Sequence, residues 1–79
     1  MEITSGCVVR SRAGHDKGRV YAVVAVKGNL AELADGGLRK TARPKRKNLR
    51  HLEYLGKLET ADANIPEDHI LRKLLSSWR

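Results

Sequence analysis

The chain has 79 residues, which is enough for one small domain. Its 16 Lys and Arg residues exceed its 9 Asp and Glu residues, and the net charge of +7 indicates a polyanionic partner. The small size argues against a multidomain enzyme and against a fold with a deep substrate cavity. A hydrophobic fraction of 41% argues against wholesale disorder.

The first half of the chain is typical of short β-strands separated by tight turns. A β-rich stretch at 7–12 is followed by a polar loop at 13–18, which is bounded by glycines. Segment 19–26 is Val-rich and apolar on both faces at its centre, as expected of a central barrel strand. The Gly-Asn pair at 28–29 predicts a two-residue hairpin turn into a return strand at 30–34.

Two further strands are predicted before residue 56. One is a short strand at 38–41, and the other is 49–55, in which Leu52 and Tyr54 are two residues apart. Between them, Pro44 is expected to interrupt regular strand pairing, because proline lacks the N–H that a ladder needs. Five short strands joined by tight turns favour a small barrel, because closure removes exposed strand edges. We therefore expect a mainly β fold.

The C-terminal part is predicted to be one amphipathic helix. Asn64 is the expected N-cap, and Glu67 stands at the capping-box position three residues later. An apolar stripe at helical spacing either packs on the barrel or contacts a partner protein or a second copy. The stripe consists of Ile70, Leu71, Leu74, Leu75 and Trp78. These patterns divide the chain into a barrel, a linker and a helix at residues 1–56, 57–64 and 65–79.

The excess positive charge is concentrated in residues 39–50, which we call the basic segment. It holds seven basic residues and no acidic one, whereas 1–38 carries a net +1 and 51–79 a net −1. Such a run can be a solvated loop, but a run without acids repels itself when nothing is bound. This favours a nucleic-acid surface, where Lys and Arg contact phosphates. We expect Pro44 to keep part of the basic segment irregular, so that its side chains splay.

Residues 8–20, Val-Val-Arg-Ser-Arg-Ala-Gly-His-Asp-Lys-Gly-Arg-Val, resemble the KOW motif. In that family a strand, a basic loop, a fixed glycine and a second strand form part of an SH3-like barrel, and Gly18 stands at the position of the fixed glycine. The Ala-Asp-Gly turn that ends at Gly36, together with the basic segment, is similar to the L-fourteen-e family of e-type large-subunit ribosomal proteins and to short bacterial KOW-domain RNA-binding proteins. The similarity covers residues 5–55.

The resemblance implies a small SH3-like β-barrel of KOW type, followed by the α-helix predicted above, which lies outside the similarity. It also implies an RNA-binding protein that contacts structured RNA, with ribosomal RNA as the first candidate and ribosomal proteins as further partners. Because some KOW domains bind proteins, the alternative is a protein-interaction module of the transcription or translation machinery. Double-stranded DNA binding is a third option, since the same charges attract both nucleic acids.

The predicted RNA contacts form two sets. The first-loop set lies around the loop at 13–18 and consists of Arg10, Arg12, His15, Lys17 and Arg19. The second set belongs to the basic segment and consists of Arg39, Lys40, Arg43, Lys45, Arg46, Lys47 and Arg50. Arg10 and Arg12 are two apart on one strand and are expected to share a face, although the first-loop charges can also be exposed groups that only aid solubility. Three glycines are predicted to have structural roles in turns, namely Gly14, Gly18 and Gly36.

The aromatic residues indicate recognition of phosphates and RNA shape rather than base stacking. None lies in the basic segment, and Tyr21 and Tyr54 are expected in the core. No catalytic arrangement, metal site or cofactor is predicted, so we expect a binding protein rather than an enzyme. Cys7 is expected to be buried, and the longest apolar run, 20–26, is too short to span a membrane. We expect a cytoplasmic protein, and its oligomeric state stays open.

Overall fold

The computed structural model describes residues 2–59 and 65–79. Five strands form one antiparallel sheet in the spatial order β4-β3-β2-β1-β5, and one helix follows. The strands are β1 (Cys7–Ser11), β2 (Val20–Lys27), β3 (Leu30–Ala34), β4 (Lys45–Asn48) and β5 (Leu52–Lys57). A 3-10 turn, Leu49–His51, separates β4 from β5, and a second one, Ser76–Trp78, follows the helix α1 (Asp68–Leu75). The prediction of a mainly β fold with a C-terminal helix is confirmed.

The sheet is buried on both faces. Because successive residues of a strand point to opposite faces, Val9 joins an interior cluster with Tyr21 and Leu33. The neighbouring Val8 joins a second cluster with Ala22 on the other face. Burial on both faces explains why β2 is apolar without strict alternation.

Irregularities in strand pairing bend the sheet into a barrel-like shape. The register between β2 and β3 shifts between Val23 and Ala25, and that between β1 and β5 shifts between Val8 and Val9. Such bulges increase local twist and bend the strand that carries the extra residue. The bent sheet encloses the interior cluster, to which Tyr54 adds its half-buried ring.

The helix α1 covers the second cluster. Leu71 and Leu75 are fully buried there, together with Val8 and Ala22. The Trp78 ring, just beyond the helix, packs so closely on Gly56 that a Cβ at that position would overlap it. The prediction that the apolar stripe packs on the barrel is supported, except that Ile70 is 43% exposed.

The strand predicted at 38–41 is wrong. Residues 35–40 form a turn instead, because the buried Asp35 carboxylate accepts hydrogen bonds from the N–H groups of Gly37 and Arg39. The fourth strand begins at Lys45, directly after Pro44, where the missing proline N–H interrupts no ladder.

The helix also begins later than predicted. Its first residue is Asp68 rather than residue 65, and its N-cap is Glu67, whose side chain makes no capping hydrogen bond. The predicted N-cap, Asn64, lies outside the described residues. The three glycines predicted as structural, Gly14, Gly18 and Gly36, all have φ values between +79° and +93°.

Candidate nucleic-acid interface

A buried carboxylate organises the loop between β1 and β2. Asp16 is 7% exposed and accepts hydrogen bonds from Ser11 Oγ at 2.8 Å and from Tyr21 OH at 2.9 Å. The Nζ atoms of Lys45 and Lys47 each lie 2.9 Å from one of its oxygens. We call these five residues the Asp16 cluster. It ties the first loop to β4, which is distant in sequence.

The cluster shifts two pKa values in opposite directions. Burial by itself would raise the pKa of Asp16, but the two lysine ammonium groups and the hydroxyls of Ser11 and Tyr21 outweigh it and hold that pKa well below its ordinary value. Burial and the neighbouring Asp16 carboxylate raise the pKa of Tyr21 to about 12. The cluster is therefore an ionised carboxylate beside a neutral phenol at neutral pH.

Lys45 and Lys47, which were predicted to contact RNA, instead bind groups inside the fold. The side chains of Lys45 and Lys47 are only 27% and 13% exposed, and Lys47 Nζ also donates to the Ala13 carbonyl at 2.8 Å. Arg46 lies between them in β4 and pairs with Glu32 at 3.5 Å. The basic segment is irregular up to Pro44, in line with the expectation that part of it would be, whereas residues 45–48 are a regular strand. Those residues pair with β3, so their side chains alternate between the two faces.

A groove of about 680 Å³ lies between the ends of β1 and β2, the turn at 35–40 and the C-terminal helix. Five basic residues from these elements line it, and we call it the basic groove. They are Arg10, Arg19, Lys40, Arg72 and Arg79. One carboxylate, Asp35, also lines the groove, but its Oδ1 atom already accepts two backbone N–H groups. The arrangement concentrates positive charge in an open depression, which suits phosphate groups.

The groove unites parts of both predicted sets. Arg10 and Arg19 come from the first-loop set, and Lys40 comes from the basic segment. Arg10 also pairs with Glu53 at 3.4 Å, and Lys40 Nζ donates to the Gly36 carbonyl at 3.0 Å. Both cations therefore already have one partner within the chain.

Arg12 does not line the basic groove beside Arg10. The strand β1 ends at Ser11, and the Arg12 N–H donates to the His51 carbonyl beyond it. Arg12 instead lines a second depression of about 550 Å³, together with Arg50. The remaining predicted contacts are exposed and line neither depression: His15, Lys17, Arg39 and Arg43.

Sequence reasoning did not include Arg72 and Arg79 in the site. Their spacing of seven residues places them on one side of a helix, but the sequence does not show what that side faces. Gly36 allows the approach, since a Cβ there would overlap the Asp68 carbonyl of α1. The Asp68 carboxylate then accepts the Thr41 N–H at 2.8 Å, which joins the start of the helix to the basic segment.

A comparison with known protein families finds no model that matches the chain, and curated proteins include no significant match. No helix in the described ranges is long and apolar enough to cross a membrane. Within 2–59 and 65–79, no group of three or more His, Cys, Asp or Glu side chains is placed to hold a metal ion.

Proposed function

We propose that this chain is an RNA-binding protein, ribosomal or ribosome-associated, and that the basic groove is its RNA-binding site. The observation that carries the proposal is the convergence of cations from three separate parts of the chain on one depression. Self-repulsion among such groups costs stability when the groove is empty, and phosphate binding relieves it. The protein acts by binding, not by catalysis.

We further propose that the barrel is an SH3-like domain of KOW type. The order of elements supports this proposal. As the resemblance implies, the strand β1 is followed by a basic loop and by a second strand, β2, which pairs with β1. Gly18, which corresponds to the fixed glycine of the motif, has a φ of +93°, a conformation that favours glycine.

The placement of the aromatic residues supports recognition of phosphates and RNA shape. Tyr21 is 2% exposed, Tyr54 is packed against the interior cluster, and Trp78 is packed on Gly56. None of the three lines the basic groove. Base stacking on aromatic rings, which single-strand readers use, therefore has little support at this site.

The helix gives little support to the alternative, a protein-interaction module. The alternative expects the apolar face of the helix to contact a partner protein. In the structure, Leu71 and Leu75 of that face are fully buried against the sheet. The barrel surface is left for such a partner, and the experiment below separates the two functions.

The test compares two triple variants of equal net charge. In the groove variant, Arg19, Arg72 and Arg79 are replaced by serine. In the control, three exposed lysines that do not line the groove are replaced by serine: Lys27, Lys57 and Lys73. Affinity for a 20-base-pair hairpin RNA is measured over a range of KCl concentrations. The groove variant should bind at least about tenfold more weakly, with a salt slope reduced by about 2, because each lost phosphate contact removes about 0.7–0.9 from the slope.

Equal losses in the two variants would contradict the groove, because only net charge would then matter. A DNA hairpin of the same sequence, used as a competitor, tells whether the groove prefers RNA. Crosslinking in cells completes the test, since recovery of proteins without enriched RNA would favour the protein-interaction module. Alanine replacement of Lys45, Arg46 and Lys47 is a poor substitute, because it strips both lysines from Asp16 and perturbs the fold.

A further inference from the structure

One apolar side chain stands exposed at the edge of the basic groove. Leu38 is 75% exposed, compared with 42% for Leu30 and 43% for Ile70, the other exposed large hydrophobic residues of the described ranges. Of these three, only Leu38 lines the groove. A single exposed leucine is common on protein surfaces, so its surroundings decide whether it has a role.

The turn that carries Leu38 is held in place on both sides. The Asp35 carboxylate accepts the N–H groups of Gly37 at 2.8 Å and Arg39 at 3.0 Å. The Arg39 carbonyl in turn accepts the N–H groups of Asp35 at 2.9 Å and Gly36 at 3.1 Å. Leu38 therefore projects from a turn whose backbone is fixed by hydrogen bonds.

The frame is also fixed against the helix. Gly36 is buried, and the backbone of α1 at Asp68 and Arg72 occupies the space that a Cβ on Gly36 would need. The same helix brings Arg72 into the groove, and Lys40 follows Leu38 by two residues. An exposed apolar side chain thus lines the same groove as cations that are suited to hold phosphates.

Proteins that bind the minor groove of DNA use such side chains as wedges that enter between base steps and partly unstack them. Unstacking a continuous helix costs free energy at each step. The cost is lowest where a base is already unpaired or mismatched. A wedge fixed between phosphate contacts therefore selects places where the base stack is interrupted.

We propose that Leu38 is an apolar wedge and that the preferred partner is an RNA hairpin interrupted by a bulge, rather than a continuous duplex. The inference rests on the proposed function, because the groove cations must hold the RNA for the wedge to act. In this proposal Leu38 contacts the bases, because no aromatic ring lines the groove to do so.

The test uses two hairpin RNAs with the same number of nucleotides, one fully paired and one with a two-nucleotide bulge flanked by 2-aminopurine. The wild-type protein should bind the bulged hairpin about tenfold more tightly, a difference of about 1.4 kcal/mol. It should also raise the 2-aminopurine fluorescence, because that base is unstacked. Leu38→Ala should lose both effects, because its affinity should fall far more for the bulged hairpin than for the paired one, and it should keep its thermal midpoint, since the side chain is 75% exposed. Leu30→Ala, outside the groove, is the matched control and should behave as the wild type.

The outcomes separate the wedge from the RNA-binding function itself. If the wild type binds both hairpins equally, or if Leu38→Ala weakens both equally, the wedge is overturned and RNA binding by the groove stands. If the wild type binds neither hairpin at low salt, both proposals fall. Retention of the bulge preference in Leu38→Ala would also overturn the wedge.

Discussion

Asp16 is the residue on which the arrangement of the basic segment depends most. Its carboxylate gathers Lys45 and Lys47 at 2.9 Å each and thereby draws two cations away from the surface. Its hydrogen bonds to Ser11 and Tyr21 tie the same loop to β1 and β2. An acidic residue inside a basic loop thus serves as an anchor for the fold.

Replacing Asp16 by asparagine should lower the free energy of unfolding by about 3 kcal/mol. The change removes a buried charge and leaves two partly buried ammonium groups without their counterion. The matched control is Glu53→Gln, which removes an ion pair with Arg10 whose side chains are 39% and 50% exposed, and it should cost less than about 0.5 kcal/mol. Urea denaturation measures both. Similar losses in the two variants would show that the Asp16 cluster does not stabilise the fold.

The depressed pKa of Asp16 predicts how stability changes with pH. The ionised carboxylate is favoured in the folded chain, so its stabilisation is complete above the ordinary aspartate pKa of about 3.9 and is lost as the pH falls below that value. We expect the free energy of unfolding to fall between about pH 5 and pH 2, and to fall less steeply in Asp16→Asn. Urea denaturation at a series of pH values checks this, and identical slopes for the two proteins would contradict it.

At the level of elements, the helix α1 serves both the core and the groove. Its apolar residues Leu71 and Leu75 fill the second cluster, and Arg72 between them lines the groove. Packing of the helix therefore decides where that guanidinium lies. Stability and the composition of the site are coupled through this one element.

Two neighbouring residues of α1 test its packing. Leu71→Ala should lower the free energy of unfolding by about 2–4 kcal/mol, because the residue is fully buried and a cavity would remain. Ile70→Ala is the control and should cost less than about 1 kcal/mol, because Ile70 is 43% exposed. Urea denaturation followed by Trp78 fluorescence reports on helix docking, since that ring packs on Gly56. Equal effects of the two substitutions would mean that the helix does not pack as described.

Across the whole molecule, which has a net charge of +7, some cations are paired with carboxylates and others are not. The Asp16 cluster sets two lysines against one carboxylate, Arg46 faces Glu32 and Arg10 faces Glu53, but the four other cations of the basic groove share one buried carboxylate, Asp35. A surface of one sign repels itself in the absence of a ligand. The groove therefore has a cost in stability, which salt should reduce.

Raising KCl from about 0.02 to 0.3 M should increase the free energy of unfolding of the wild type, because salt screens exposed charges more than buried pairs. The groove variant, with three fewer cations, should be more stable than the wild type at low salt and should gain less from added KCl. Urea, which is uncharged, is the suitable denaturant for this comparison. A wild-type stability that falls with salt, or equal responses in the two proteins, would contradict self-repulsion in the groove.

Local patterns were sufficient to predict much of the fold. The apolar run at 20–26, the Gly-Asn turn and the stripe from Ile70 to Trp78 predicted β2, the hairpin to β3 and α1, since each is a property of neighbouring residues. The position of β4 was not predicted. It depends on the pairing of Lys45–Asn48 with β3, which local propensity does not reveal.

The sequence by itself determined that the protein is small, mainly β, followed by one helix and strongly basic in residues 39–50. Only the tertiary structure decided which cations are paired inside the fold and which line the groove. Lys45 and Lys47 turn toward Asp16, whereas Arg10, Arg19, Lys40, Arg72 and Arg79 converge on one groove. The physical reason is that charge is a property of each residue, whereas its pairing and direction depend on strand register and helix docking, which bring together residues up to 69 positions apart.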